Sequence, residues 1–157
     1  MSLPELQGFN LAGGTALALQ IGHRISVDLD FFGDKQFDTA EVMTAIEEFA
    51  KVSIISQSRS ILILNVNGVK TDVVRYKYPL LNPVLHVEGL RLLSTLDIGA
   101  MKLAAITNRG RKRDFFDLFF LMKQFSLRQL LDAYNAKYSD GSEFLVLKSI
   151  IYFEDAE

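Results

Sequence analysis

Leu11-Ala-Gly-Gly-Thr-Ala-Leu-Ala-Leu-Gln-Ile-Gly-His-Arg-Ile-Ser-Val-Asp-Leu-Asp-Phe-Phe32 is the stretch on which the fold turns. An Ala/Leu-rich segment lies between Gly13 and Gly22 and predicts a short helix with a glycine-rich entry. From Ser26 to Phe32 polar and apolar residues alternate with period two, which predicts a strand. On such a strand Ser26, Asp28 and Asp30 share one face, and Val27, Leu29 and Phe31 the other. Two same-face carboxylates roughly 7 Å apart repel unless water or a cation bridges them. Oxygen-only donors suit a hard ion such as magnesium. Read alone, so short a motif as the D-x-D pair describes a wet acidic face better than a metal site.

Further along, Asp38 to Lys51 predicts a helix capped by Asp38 or Thr39, with Val42, Ile46, Phe49 and Ala50 on one stripe. Ile61–Val66 and Val69–Tyr76 flank Asn67-Gly68, the strongest short hairpin signal. A two-residue turn pairs Val66 with Val69 and sets Ile63 opposite Asp72. Pro79 and Pro83 are expected to end the sheet region. From Ser94 onward helices are expected near 94–109, 113–124, 126–137 and 142–153. The expected class is α+β: a mixed sheet flanked by helices over residues 1–89, then a small helical bundle over 90–157 packed against it.

With 157 residues, 49% hydrophobic and 23% charged, the chain has apolar mass for a core, which excludes disorder and low-complexity tails. No apolar run approaches the roughly 20 residues of a membrane helix, and no secretory leader is visible, so a cytoplasmic protein is expected. The absence of cysteine excludes disulfides and thiolate chemistry. A net charge of −2 confines any nucleic-acid contact to a local patch.

Several residues outside the opening stretch carry chemistry. Asp72 stands among aliphatics, where a carboxylate is costly to desolvate without a partner or metal. If its strand lies beside that of Asp28 and Asp30, three acids converge as metal-assisted phosphoryl or nucleotidyl transfer requires; pairing with Lys70 or Arg75 is the alternative. Gly13-Gly14-Thr15 at a helix start lets backbone N–H groups approach a phosphate, though it also describes a tight turn. Lys102, with small and apolar neighbours on its helix, either snorkels to water or reaches a triphosphate. Asp114 and Asp117 form an acidic edge on a helix expected to be buried nearly all round. They could hold Lys102, cap the basic run, act as base, or pair with Arg111 or Arg113. Arg109-Gly-Arg-Lys-Arg113 is either a phosphate-binding run or an exposed connection. His23 and His86 show no metal-ligand spacing.

Together these residues resemble the AbiEii/AbiGii toxin family of nucleotidyltransferases, a branch of the polymerase-β-like superfamily. Leu11–Phe32 is similar to its G-G-T-x-L … G-H-R-x-S-x-D-x-D-F-F signature, and Asp97–Leu118 to its K-x-x-A … R-x-x-x-[KR]-D-x-x-D-L block. The resemblance implies a nucleotidyltransferase fold and transfer of a nucleoside monophosphate from an NTP to an RNA, tRNA or protein hydroxyl. It implies that Gly13, Gly14 and Thr15 hold the triphosphate and that Asp28 and Asp30 bind Mg²⁺ (or Mn²⁺), with Asp72 joining them by strand position. Lys102 would contact the phosphates, and Asp114 would be the second-block acid. Arg24, Ser26, Arg109, Arg111 and Asp117 complete the nucleotide-binding set. An antitoxin is the implied protein partner, and an inactive nucleotide- or partner-binding module the alternative. Two departures stand out: twelve residues separate Thr15 from Asp28, with threonine in place of serine, and the chain is shorter than typical members.

Overall fold

A computed structural model describes residues 3–152. The chain forms two compact units. One comprises residues 3–16, 25–77 and 84–93 and holds the sheet; the other comprises 17–24, 78–83 and the helices from residue 94 on.

The sheet unit has seven strands: β1 (Asn10–Ala12), β2 (Leu29–Gly33), β3 (Val52–Gln57), β4 (Ile61–Val66), β5 (Val69–Arg75), β6 (Leu85–Val87) and β7 (Leu90–Leu92). Their order is β3-β4-β5-β2-β1-β7-β6, with β2/β5 and β1/β7 parallel and the remaining neighbours antiparallel. The β4/β5 hairpin takes the expected register, Val66 to Val69 and Ile63 to Asp72. Its turn residues Asn67 (φ 51°) and Gly68 (φ 86°) both adopt positive φ, as a type I′ turn demands. Helix α2 (Thr39–Glu47) is capped by the Asp38 carboxylate, which accepts from Glu41 N–H. Its Val42 and Ile46 pack with Leu62, Leu64 and Val73, and this core occupies one sheet face. Asp30, Asp72 and Ile63, in register with one another, lie on the other.

Four local expectations are corrected. The strand begins at Leu29 rather than Ser26, its ladder with β5 opening at the Leu29–Thr71 pair; the backbone ahead of it is held by the Thr15 hydroxyl instead. Helix α2 stops at Glu47, leaving Phe49 exposed, and the chain turns into the unanticipated edge strand β3. The sheet resumes after Pro83 with β6 and β7, since β1 still has an open edge that Leu92 fills. The helix carrying Asp114 and Asp117 is not buried all round, as shown below.

The helical unit contains α3 (Thr95–Asn108), α4 (Lys112–Leu121), α5 (Leu127–Lys137) and α6 (Glu143–Ile151), close to the expected spans. The end of the predicted last helix, residue 153, lies outside the described residues. Helix α1 (Gly13–Ile21) begins in the sheet unit and continues into this one. Gly99 of α3 lets α5 come close: a Cβ there would sit 2.7 Å from Leu130. Helix α4 inverts the usual amphipathic rule. Asp114 and Asp117 are fully buried, while Phe116, Phe119 and Met122 are exposed. Both faces are short of ordinary surface polarity, so apolar counting alone could not tell in from out.

Candidate active site

In the sheet unit two of the three predicted acids, Asp30 and Asp72, meet where β2 and β5 run side by side, while Asp28 lies just ahead of β2. Asp30 and Asp72 are direct partners in the parallel ladder, so two carboxylates stand on neighbouring strands about 4.8 Å apart. Lys70 Nζ lies 3.1 Å from both oxygens of Asp72 and hydrogen-bonds Oδ2. Oδ1 is buried and receives no hydrogen bond. Gly13, at φ +67°, brings its backbone so near Asp30 that a Cβ there would overlap the Asp30 carboxylate. Only glycine takes that conformation and leaves that space. Thr15, in the first turn of α1, is buried; its hydroxyl meets Ser26 Oγ at 2.8 Å and donates to the Asp28 carbonyl. The glycine turn thus braces the segment that carries Asp28 to the head of β2. Gly14 beside it is buried.

Among the described residues no three carboxylates or imidazoles are grouped as a ready-made metal cage. Two adjacent carboxylates suffice for magnesium, which completes its shell with waters and substrate phosphates. An all-oxygen donor pair, a buried oxygen that receives no hydrogen bond and a backbone cradle fit that ion.

In the helical unit the predicted residues converge on two buried aspartates. Asp117 accepts from His23 Nε2 at 2.6 Å, from Arg24 Nε at 2.6 Å and Nη2 at 2.9 Å, and pairs with Lys102 Nζ at 2.7 Å. Asp114 accepts from Lys102 at 3.0 Å and from Arg109 at 3.3 Å. Lys102 does not snorkel; it is 5% exposed and clasped by both acids. Burial alone would raise the Asp117 pKa, but the Arg24 hydrogen bond, the charge and hydrogen bond of Lys102 and the His23 bond outweigh it, leaving the pKa well below the usual range. Burial likewise opposes the lowering at Asp114, where Lys102 and then Arg109 prevail. A third buried acid, Asp97, caps the connector: it accepts from Leu81 N–H, Asn82 N–H and Ser94 Oγ and pairs with fully buried Lys137 at 2.7 Å. Arg111, beside Lys112 and Arg113, lines an open cleft with Arg24 and Phe116.

His23 escaped the sequence reading. It lies 94 residues from Asp117 and has no metal-ligand spacing, so its only signal was its place between Gly22 and Arg24 in the first block. Here it is a hydrogen-bond donor whose ring stacks on Phe116 and tilts against Phe120.

The pattern of the family described as "Nucleotidyl transferase AbiEii toxin, Type IV TA system" matches residues 3–88 and 65–157. The chain belongs to this AbiEii family. It is a nucleotidyltransferase with the nucleotidyltransferase fold. The AbiEii chain is 40% identical to the Aquifex aeolicus protein aq_aa25 over 162 residues, covering 99% of itself and 79% of that relative. A candidate nucleotidyltransferase of H. pylori shares the fold at TM-score 0.62 and 24% identity, over 94% of this chain and 85% of that one. MenT4, the nucleotidyltransferase toxin Rv2826c of Mycobacterium tuberculosis H37Rv, shares it at TM-score 0.56 and 15% identity, over 95% and 76%. Membership in a type IV toxin–antitoxin family implies nucleotide substrates and an antitoxin partner. No helix among the described residues is long and apolar enough to cross a membrane.

Proposed function

We propose that the chain moves a nucleoside monophosphate from an NTP to an acceptor hydroxyl on RNA, tRNA or protein. In this reading it is the cytoplasmic toxin of a toxin–antitoxin or phage-abortive system. The observation that carries it is the Asp30–Asp72 pair, in register on parallel strands, with one buried Asp72 oxygen that receives no hydrogen bond and Gly13 packed against Asp30. Residues 1–89 then form the catalytic core, and 90–157 the helical region.

Asp28, Asp30 and Asp72 would hold Mg²⁺ or Mn²⁺, which when bound offsets charge on the phosphates undergoing in-line displacement. Gly13, Gly14 and Thr15 present the start of α1, whose N–H groups and dipole favour the triphosphate. Ser26, tied to Thr15, steadies that turn. Lys102, Arg24, Arg109 and Arg111 are the phosphate-contact set that the family resemblance implies, and within the helical unit Asp114 and Asp117 hold Lys102 in place. Of the two candidate bases, Asp72 is favoured. Asp114 is stabilised as an anion by two cations and so is the weaker proton acceptor.

Incubation with each labelled NTP, Mg²⁺ and bulk RNA or protein tests this. Transfer with pyrophosphate release is expected, falling at least about a hundredfold in the Asp28→Ala/Asp30→Ala variant. Equal labelling by the variant counts against it, release of nucleoside diphosphate would instead show phosphoryl transfer, and NTP binding without turnover would show a regulatory module.

A further inference from the structure

The cleft at the start of α4 has one feature the transfer chemistry does not use. Phe116 lines it together with Arg24, Arg111, Lys112 and Arg113. An aromatic ring amid four cations in a chain of net charge −2 makes a local positive field around an apolar plate. The plate is firmly backed. The His23 ring stacks behind it at 6.1 Å and 22°, and Phe120 meets it at 5.0 Å and 56°. Even so, Phe116 remains 44% exposed, because the buried face of α4 is occupied by Asp114, Asp117, Leu118 and Leu121. Two of the cations are also differently held: Arg24 is oriented by its bidentate bond to Asp117, whereas Lys112 is an exposed point charge.

We propose that this cleft binds single-stranded nucleic acid, with one base stacked on Phe116 and the adjoining phosphates on Arg111, Lys112, Arg113 and Arg24. Base stacking on an aromatic ring combined with a basic groove is how sequence-tolerant single-strand sites are built. An acidic peptide satisfies the cations but gives the ring no planar partner. The choice of RNA over DNA rests on the acceptor reading above; the cleft itself rests on its own geometry.

The test measures fluorescence anisotropy of a labelled RNA of about 12 nucleotides. It uses the full chain carrying Asp28→Asn/Asp30→Asn and no NTP, so that failure of the transfer chemistry leaves the readout intact. Phe116→Ala is expected to weaken binding about tenfold or more, and Phe116→Tyr to restore it. A strand of equal length lacking bases should bind more weakly and be indifferent to Phe116→Ala. Lys112→Gln/Arg113→Gln should flatten the plot of log affinity against log salt by about 1.4. The proposal is overturned if Phe116→Ala binds the intact strand like its parent, if the baseless strand loses as much, or if polyglutamate binds as tightly as RNA. Equal preference for DNA would leave the cleft as a single-strand site and remove the acceptor link. Should Phe116→Ala fail to fold, the Tyr variant and the baseless strand still decide it.

Discussion

The two units treat the same residue type in opposite ways. In the sheet unit Asp30 and Asp72 stand side by side, half-buried, with one lysine serving Asp72 and one buried oxygen left without a hydrogen bond. In the helical unit Asp97, Asp114 and Asp117 are wholly buried, and each takes two or more donors. A carboxylate saturated by cations has its charge answered within the fold, so it orients its partners. A crowded carboxylate pair with spare acceptor capacity has its charge answered from outside. On the proposed function, the contrast separates acids that hold the protein together from acids that would meet a divalent ion.

The contrast breaks first if the buried acids prove dispensable. Asp117→Ala leaves Lys102 and Arg24 without their shared anion, and Asp97→Ala leaves fully buried Lys137 without its own. Each is expected to lower unfolding stability by about 3 to 5 kcal/mol, read by urea denaturation. The sheet acids should behave differently. Asp30→Asn or Asp72→Asn relieves repulsion and is expected to leave stability within about 0.5 kcal/mol of the parent. Nucleotidyl transfer in the same variants should fall about a hundredfold or more. A large stability loss there would erase the distinction.

Acid titration sharpens it. Asp97, Asp114 and Asp117 all have pKa values held below the ordinary 3.8 in the folded chain. The folded state therefore binds fewer protons than the unfolded one in this range. Their contribution is full above the unfolded value and is lost as pH falls through the folded ones, so stability should decline from about pH 4 to about pH 2. Asp117→Asn should flatten that decline. A modest effect away from both groups of acids is expected at Gly68→Ala. No heavy atom lies within 4 Å of the added Cβ, so only the φ of 86° is penalised, by about 1 kcal/mol in thermal melts.

How much was legible follows from how local each cause is. The Asn67-Gly68 hairpin and its register were readable because two adjacent residues dictate the turn. The helices from Ser94 onward were readable from periodicity, and the structure adds that Ser94 and Ser126 cap two of them. Strands β6 and β7 were not, being three residues each and justified only by the edge that β1 offers to Leu92. In the site, the glycine turn, the D-x-D pair and the Lys102 block could be named. That Asp30 would face Asp72 could be stated only as a condition on strand order. The His23–Asp117 bond was invisible, since nothing in either neighbourhood specifies a partner 94 residues away.

What the amino-acid order determined by itself is the inventory: which segments turn, coil or extend, and which carboxylates, glycines and cations are available, because those follow from propensities acting over a few residues. Tertiary structure alone decided the assignments within that inventory. It made Asp114 and Asp117 interior and left Phe116 half exposed, because three cations on α3, on the α3–α4 connection and after α1 could reach the acids, while the rings that Phe116 meets among the described residues are those of His23 and Phe120. It placed Asp72 beside Asp30 because β5 joins the sheet next to β2. Burial and pairing are properties of distances through space, and short-range sequence pattern carries no information about those.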